Sequence, residues 1–114
     1  LSLVHLDAVD DGTLDAAMAQ GLTPLAWSPL GGGRIATGDV APPLLEALDA
    51  LAADHATSRT AVALAFVLAH PSRPVPIVGS QRPDRIRDAA EAARVHLSRA
   101  EWYALLAAAG RELP

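Results

Sequence analysis

Short apolar runs alternate with longer amphipathic segments along the chain, and each run is bounded by turn-forming residues. The run 22–27 follows a glycine and ends at Ser-Pro, and the run 75–78 ends at Gly-Ser. Apolar runs of this length between turn residues predict two buried strands. Residues 1–9 alternate loosely between apolar and polar positions, which predicts the tail of a third strand.

Helical spacing and capping residues predict helices between and after these strands. Leu44, Leu48 and Leu51 share one helical face. Ser58 is a typical N-cap before a nearly apolar segment, and Ser98 with Glu101 has the spacing of a capping box. The predicted helices cover residues 13–20, 42–55, 59–70, 83–95 and 99–109.

The order of these elements predicts a parallel sheet, because helices between strands act as crossover connections. The predicted fold class is therefore α/β. Two complete strands and one partial strand are too few to close a barrel, and they leave sheet edges unpaired. We expect these edges either to pair with a second copy of the chain or to continue into strands outside it.

Composition excludes several classes of protein. The chain has no cysteine and no lysine, and its nine basic residues are all arginine. These absences exclude a disulfide scaffold, a catalytic thiol, a Walker P-loop and a Schiff-base lysine. The formal net charge of −4 argues against a nucleic-acid or anionic-membrane partner. Because the chain has no apolar run long enough to span a membrane and no basic leader, we expect a cytoplasmic protein.

The loop after the first complete strand is a candidate phosphate cradle. The backbone N–H groups of Ser28, Leu30, Gly31 and Gly32 would face an anion, since glycines allow close approach. Residues 31–36 satisfy G-x-G-x-x-A, but the glycine and prolines that follow prevent the long helix of a dinucleotide fingerprint. A flexible surface loop is the alternative interpretation.

The loop after the second complete strand is a candidate anion site. Gly79 and Ser80 offer polar donors just before a helix, and Arg82 and Arg85 lie at its start. Arginines at a helix N-terminus oppose the helix dipole unless an anion binds there, and their forked guanidinium groups suit a phosphate. The alternative is a solvated helix face held by ion pairs. The predicted pairs are Asp84 with Arg87 and Asp88 with Arg85.

The aromatic and histidine side chains have competing interpretations. Trp27 lies at the carboxyl end of a strand, where its indole would stack on a planar ligand, or else it is a core aromatic. Trp102 and Tyr103 are predicted to be packing residues. His5 is predicted to be a surface or capping residue, with a pocket-facing role as the alternative. The histidines lack the spacing of metal ligands, so we expect no metal site.

Four motifs occur in an order that is similar to a known family. They are Ala-Trp-Ser-Pro-Leu-Gly-Gly-Gly at 26–33, Val-Ala-Leu-Ala-Phe-Val-Leu at 62–68, Pro-Ile-Val-Gly-Ser at 76–80 and Leu-Ser-x-x-Glu-Trp at 97–102. With them, the chain resembles the C-terminal part of the aldo/keto reductases over essentially all of its length. The resemblance implies one partial domain, 1–114, of a (β/α)8 TIM barrel. This portion would run from the end of strand six to strand eight and an accessory helix.

The resemblance also implies that the cofactor is NADPH, bound without a Rossmann fold. The matching positions are Trp27 for stacking on the nicotinamide, Ser28, Leu30 and Gly31 for the pyrophosphate, Gly79, Ser80, Arg82 and Arg85 for the 2′-phosphate and adenine, and Asp88 for the adenine. Ala89 departs from the amide that often lies beside the adenine in the family.

The same resemblance leaves this chain without catalytic residues. The family's catalytic Asp, Tyr, Lys and His lie in the N-terminal half of the barrel, and the chain contains no lysine. We therefore expect a C-terminal fragment of an NADPH-dependent oxidoreductase that reduces small aldehydes and ketones by hydride transfer, inactive alone. The alternative is a non-catalytic nucleotide-binding or regulatory module, completed by self-association or by a partner chain. A truncated product without a function of its own is a third possibility.

Overall fold

Two short parallel strands lie among seven α-helices and one 3₁₀ helix in the computed structural model, which describes residues 1–113. The elements are α1 (Asp7–Asp10), α2 (Thr13–Ala19), β1 (Leu25–Ala26), α3 (Arg34–Thr37), α4 (Pro42–Asp54), α5 (Arg59–Leu68), β2 (Val75–Pro76), α6 (Pro83–Ala90), the 3₁₀ helix Glu91–Arg94 and α7 (Arg99–Ala108). Pro114, the last residue of the predicted domain, lies outside the described residues.

The sheet consists of β1 and β2, which pair in parallel as the element order predicts. Leu25 is opposite Val75, and the pairing continues where the Ile77 N–H donates to the Ala26 carbonyl at 3.0 Å. Both strands are shorter than the predicted runs 22–27 and 75–78. Neither strand has a second neighbour among residues 1–113, and proline at 24 and 76 offers no N–H to a ladder.

The prediction of a strand tail over residues 1–9 is wrong. Ser2 and His5 instead exchange two backbone hydrogen bonds of 3.0 Å in an isolated bridge, and α1 follows directly. The segment has no adjacent strand in the described chain, so its backbone groups are satisfied locally. Leu3 and Leu6 are buried in the core and fix the segment to the helices.

The predicted helix starts are confirmed where a side-chain cap was recognised. The Ser58 hydroxyl accepts the Ala61 N–H at 3.0 Å, and α5 begins immediately after it. The Ser98 hydroxyl accepts the Glu101 N–H at 3.1 Å while the Glu101 carboxylate accepts the Ser98 N–H at 2.7 Å. This reciprocal pair is the predicted capping box, and it opens α7.

Two helical details differ from the sequence prediction. α3 is a single turn inside the predicted loop, bounded by Gly33 and Gly38 in the left-handed conformation and fixed by the fully buried Ile35. The predicted helix 83–95 divides into α6 and a 3₁₀ helix. Ala89 and Ala92, three residues apart, both pack in the cluster around Leu64. Residues three apart lie on the same side of both helix types, so both alanines face the cluster across the change from α to 3₁₀.

The main core forms around α5, which is buried at every position from Ala61 to Val67. Trp102 of α7 stacks on Phe66 with ring centroids 4.7 Å apart, and its indole N–H donates to the Phe66 carbonyl at 3.0 Å. Tyr103 meets the edge of Trp102. The predicted packing role is therefore confirmed for Trp102, which packs against the core, whereas Tyr103 is exposed and its ring contacts Trp102.

One face of the sheet is apolar and open. Ala26 is buried, whereas Leu25 is 66% exposed and Val75 and Ile77 are also exposed. Successive strand residues point to opposite faces, so these exposed side chains share the face that lies away from the core. Within the described residues, no helix combines the length and hydropathy needed to cross a bilayer.

Candidate functional site

Both candidate loops leave the sheet at the same end. β1 and β2 run parallel, so the segment that begins at Trp27 and the segment that begins at Ile77 emerge side by side. Carboxyl ends of parallel strands are where α/β folds bind ligands. The topology thus brings the two predicted sites together, although they are about fifty residues apart in the sequence.

Trp27 is a surface side chain at this end of the sheet. It is 79% exposed, so the alternative of a core aromatic is wrong. Phe66 is the fully buried aromatic residue instead, and the half-buried Trp102 stacks on it. An exposed indole at the carboxyl end of a strand is free to stack on a planar ring.

The loop after β1, residues 28–33, has an unusual backbone. Ser28 has φ +49°, and Gly31, Gly32 and Gly33 all have positive φ. A left-handed conformation is costly for a residue with a Cβ, so Ser28 is strained and the surrounding contacts must hold it. The loop therefore follows a sequence of tight left-handed turns that the three glycines allow.

The loop amides are only partly available to a ligand. The Gly31 N–H donates to the Ser28 carbonyl at 2.9 Å, so the expectation that Gly31 offers a free N–H is wrong. The tight turn at Ser28 is what engages it. Across residues 1–113, the N–H groups of Leu30 and Gly32 donate no backbone hydrogen bond, and they remain available to an anion.

The loop is packed against the N-terminal segment and the core. A Cβ at Gly31 would lie 2.3 Å from the Val4 Cγ2, so only glycine fits this approach. The side chain of Leu30 is half-buried and packs against both apolar clusters. These contacts fix the loop without using the N–H groups of Leu30 and Gly32.

The loop after β2 is held by its own polar groups. The Ser80 hydroxyl accepts the Arg82 N–H at 3.2 Å, and the Arg82 guanidinium binds both oxygens of Asp84 at 3.2 and 3.0 Å. Hydrogen bonding to Arg82 holds the pKa of Asp84 below its ordinary value. Arg85 is exposed to solvent.

The ion pairs predicted for α6 are wrong in their partners. Asp84 pairs with Arg82 rather than Arg87, because the extended backbone of Arg82 before the helix directs its side chain over the first turn. Asp88 accepts the Ser58 hydroxyl at 2.5 Å rather than pairing with Arg85. This contact joins α6 to the N-cap of α5. The Asp88 carboxylate is half-buried, and its oxygen Oδ1 is already engaged.

His5 lies in a groove of about 350 Å³ that Arg34 and Arg111 also line. Its side chain is exposed, as predicted, and it also faces this groove. Arg111 forms ion pairs there with Asp7 and Asp10. In the part of the chain that the structure describes, no group of three or more histidine, cysteine or acidic side chains has the arrangement of a metal site.

Comparison with known proteins decides the family. The sequence profile of the Aldo/keto reductase family matches residues 2–109. The chain belongs to the aldo/keto reductase family. The solved structure of the thermostable aldo-keto reductase Tm1743, in complex with the inhibitor epalrestat, is similar with a TM-score of 0.84 and 25% sequence identity. This similarity covers 95% of the present chain and 37% of that protein, and it confirms the α/β fold of the aldo-keto reductases.

Curated relatives of this aldo/keto reductase chain are similar along all of it. A 6-dehydroglucose reductase of Novosphingobium aromaticivorans is 48% identical over 117 residues, which are 100% of this chain and 38% of the relative. The oxidoreductase YdhF of Escherichia coli is 40% identical over 116 residues, which are 100% of this chain and 39% of the relative. A 6-dehydroglucose reductase of Agrobacterium fabrum is 37% identical, covering 99% of this chain and 38% of the relative. The chain therefore spans well under half the length of these relatives.

Two residues that contact the loop of this aldo/keto reductase chain are absent from the sequence prediction. Val4 packs on Gly31, and Arg59 reaches the far end of α3. Val4 gives no sequence signal, because its contact is a matter of tertiary packing. Arg59 does give one: an arginine directly after the N-cap Ser58 is unfavourably placed in the helix dipole, as Arg82 and Arg85 are.

Proposed function

We propose that this chain supplies the nucleotide-binding, C-terminal portion of an NADPH-dependent aldo/keto reductase that reduces aldehydes and ketones. One observation carries the proposal. A single end of the sheet combines an exposed indole at Trp27, a strained loop with available amides, and arginines at the start of α6. A planar ring linked to phosphates needs this combination of aromatic surface and anion-binding groups.

The donor set fits a dinucleotide with a 2′-phosphate. Trp27 offers its indole face to the nicotinamide ring, and the N–H groups of Leu30 and Gly32 offer donors to the pyrophosphate. Arg82 and Arg85 present forked guanidinium groups to the 2′-phosphate. On binding, the Arg82 guanidinium would leave the Asp84 carboxylate and pair with the 2′-phosphate, so one charge-assisted pair would replace another. The bound cofactor would supply the hydride.

We propose that the proton donor for the carbonyl oxygen lies outside this chain. The chain contains no lysine to complete the family's catalytic group. Tyr103, its one tyrosine, lies on α7 against Trp102, with ring centroids 5.3 Å apart. A catalytic tyrosine must reach the substrate oxygen, whereas this ring is exposed on α7 and packs on the edge of Trp102. We therefore expect the chain alone to bind nucleotide without reducing any aldehyde.

The open apolar surface supports assignment to part of a larger barrel. Leu25, Val75 and Ile77 are exposed on the sheet face, and both outer strand edges of the described sheet are unpaired. An apolar groove of about 270 Å³ also lies beside β2, and Val78 and Ile86 are among the residues that line it. Further strands and helices would cover both surfaces. The proposal includes a cytoplasmic location, with which the cysteine-free composition agrees.

Calorimetric titration of the chain tests this function. The ligands are NADPH, NADH, 2′-phospho-ADP-ribose and ADP-ribose, which separate the nicotinamide and 2′-phosphate contributions. We expect the two 2′-phosphorylated ligands to bind more tightly than their partners. Absence of binding at millimolar NADPH would contradict the proposal, and so would turnover of an aldehyde by the chain alone.

The same open surface favours a second candidate function, a nucleotide-binding module completed by a second copy. Sedimentation analysis distinguishes it from the first. The module requires a dimer that the substitutions Leu25→Glu and Ile77→Glu dissociate, because both side chains lie exposed on the sheet face. A monomer at all concentrations would exclude it.

A further inference from the structure

Arg59 links three helices through one side chain. Its Nε and Nη2 atoms donate to the two carboxylate oxygens of Asp49 on α4, at 2.7 and 3.0 Å. Its Nη1 atom donates to the carbonyl oxygens of Ile35 and Ala36 on α3, at 3.5 and 3.3 Å. Arg59 itself is the first residue of α5. The guanidinium thus connects α3 to the helix pair behind it.

α3 depends on external contacts of this kind. It is a single turn in which the Arg34 and Ile35 carbonyls accept the N–H groups of Asp39 and Gly38, whereas no backbone N–H among residues 1–113 donates to the Ala36 carbonyl. Isolated helical turns are unstable in water, because the conformational entropy lost in forming the first turn exceeds the free energy gained from its hydrogen bonds. Arg59 supplies a donor to the Ala36 carbonyl and a second, longer one to the Ile35 carbonyl, and the buried side chain of Ile35 supplies apolar contact.

Gly38 shows how closely the end of α3 approaches the guanidinium. A Cβ at Gly38 would lie 3.1 Å from the Arg59 Nη1 atom, and the backbone there has φ +82°. The two-point pair with Asp49 fixes the guanidinium plane, and hydrogen bonding within the pair lowers the pKa of Asp49. Arg59 at the first position of α5 opposes the helix dipole, so contacts rather than helix propensity hold it there.

We propose that Arg59 is a positioning residue for the nucleotide loop, fixing the end of α3 and thereby the conformation of residues 28–38. It does not touch the nucleotide. The loop between Ser28 and Gly33 runs directly into α3, so a shift of α3 moves the amides of Leu30 and Gly32. Hydrogen-bond donors must lie close to their ideal positions to favour a ligand, so a small displacement weakens binding. The nucleotide part of this inference rests on the proposed function.

Hydrogen exchange in the absence of nucleotide tests the loop directly. The reporting amides are Thr37, Gly38 and Asp39, which donate to Gly33, Ile35 and Arg34. In Arg59→Met we expect these amides to exchange about tenfold faster, while the amides of α7 keep their wild-type rates. Arg59→Lys keeps the positive charge but not the forked guanidinium. Asp49→Asn replaces one of the two carboxylate oxygens that accept hydrogen bonds from Arg59. Both should give smaller increases confined to the same amides.

Nucleotide titration of the same variants completes the test. We expect Arg59→Met to weaken NADPH and NADH equally, by about tenfold, with partial rescue in Arg59→Lys. Arg94→Met removes another arginine pair on the surface and should change neither measurement. Unchanged loop exchange in Arg59→Met would overturn the inference, as would faster exchange spread evenly over the loop and α7. If the wild-type chain binds no nucleotide, the proposed function fails, and local exchange still decides whether Arg59 positions the loop.

Discussion

The two loops at the end of the sheet are built in opposite ways. The loop 28–38 is strained and anchored, with Val4 packed on Gly31, Ile35 buried in the core and Arg59 holding α3. The segment 79–87 is exposed except for the half-buried Ser80, and its arginine–aspartate pair is local. Fixed backbone amides suit the pyrophosphate, which is common to all dinucleotides. Side chains that exchange partners suit the 2′-phosphate, which only some dinucleotides carry. In the proposed site, the first loop would therefore set affinity and the second loop would set selectivity.

The largest expected effect, a loss of folding stability, tests whether the contact between Val4 and Gly31 anchors the first loop. Gly31→Ala should lower the free energy of unfolding by about 3 kcal/mol, because it adds left-handed strain to a clash with Val4. Gly32→Ala is the matched control, since its φ is also positive but the space around it is open. It should cost about 1 kcal/mol. Urea denaturation measures both.

A double variant separates clash from backbone strain at Gly31. Val4→Ala in the Gly31→Ala background should restore part of the lost stability, giving a favourable coupling energy. Equal destabilisation by the alanine substitutions at Gly31 and Gly32 would show that Val4 does not hold the loop.

The next effect concerns selectivity in the second loop. Arg85→Ala should weaken NADPH about thirtyfold and leave NADH within about twofold, because in the proposed site only the 2′-phosphate would use this guanidinium. Stability should stay within about 0.5 kcal/mol, since the side chain is exposed. Arg94→Ala serves as the control for a lost surface charge. An equal loss of affinity for both cofactors would place Arg85 in the common part of the site.

A smaller effect comes from Glu101 on α7, whose hydrogen bonds go to Ser98 and His55 and not to either loop. Glu101→Ala removes one half of the capping box and a contact of 2.9 Å between the Glu101 carboxylate and His55, and should cost about 1 kcal/mol. Affinity for either cofactor should not change. Altered cofactor affinity in this variant would mean that binding follows the overall stability of the chain and not the separate contacts of each loop.

The same carboxylate predicts a dependence on pH. Hydrogen bonds from the Ser98 backbone N–H and from His55 hold the pKa of Glu101 below 4.5 in the folded state. The stabilisation is therefore present above pH 4.5 and is lost as the pH falls through the lowered pKa. Glu101→Gln keeps the capping geometry but does not titrate, so its stability curve should lack this acid component. Identical acid slopes for Glu101→Gln and the wild type would refute the assignment.

The smallest effect concerns the local pair of the second loop. Asp84→Asn should free Arg82 and tighten NADPH binding by about two- to threefold, with NADH unchanged. Glu91→Gln, which removes the partner of Arg94, is the matched control. Weaker binding of NADPH would indicate that Asp84 orients Arg82 for the phosphate instead of competing with it.

Local chemistry allowed much of this structure to be predicted. The caps at Ser58 and Ser98 depend on residues within three positions, so the starts of α5 and α7 could be predicted. The parallel pairing followed from the crossover helices. The resemblance to the family, carried by four ordered motifs, is confirmed, while the site residues it implies stay predictions.

Long-range contacts account for what the sequence did not show. The strand predicted at the N-terminus would need a neighbour that the described chain does not provide, and Ser2 and His5 pair with each other instead. α3 forms because Arg59 and the core hold it, although its own sequence favours a turn. Asp88 meets Ser58 across thirty residues, and helix periodicity alone favours a partner one turn away.

The contrast between the two tryptophans has a practical consequence. Trp27 is 79% exposed at the end of the sheet, and Trp102 is stacked on Phe66. Emission from Trp27 should be red-shifted and readily quenched by iodide, whereas emission from Trp102 should be bluer and protected. One spectrum therefore contains two separate reporters, one for occupancy of the surface and one for integrity of the interior. Ligand binding and unfolding can be followed in the same cuvette without a label.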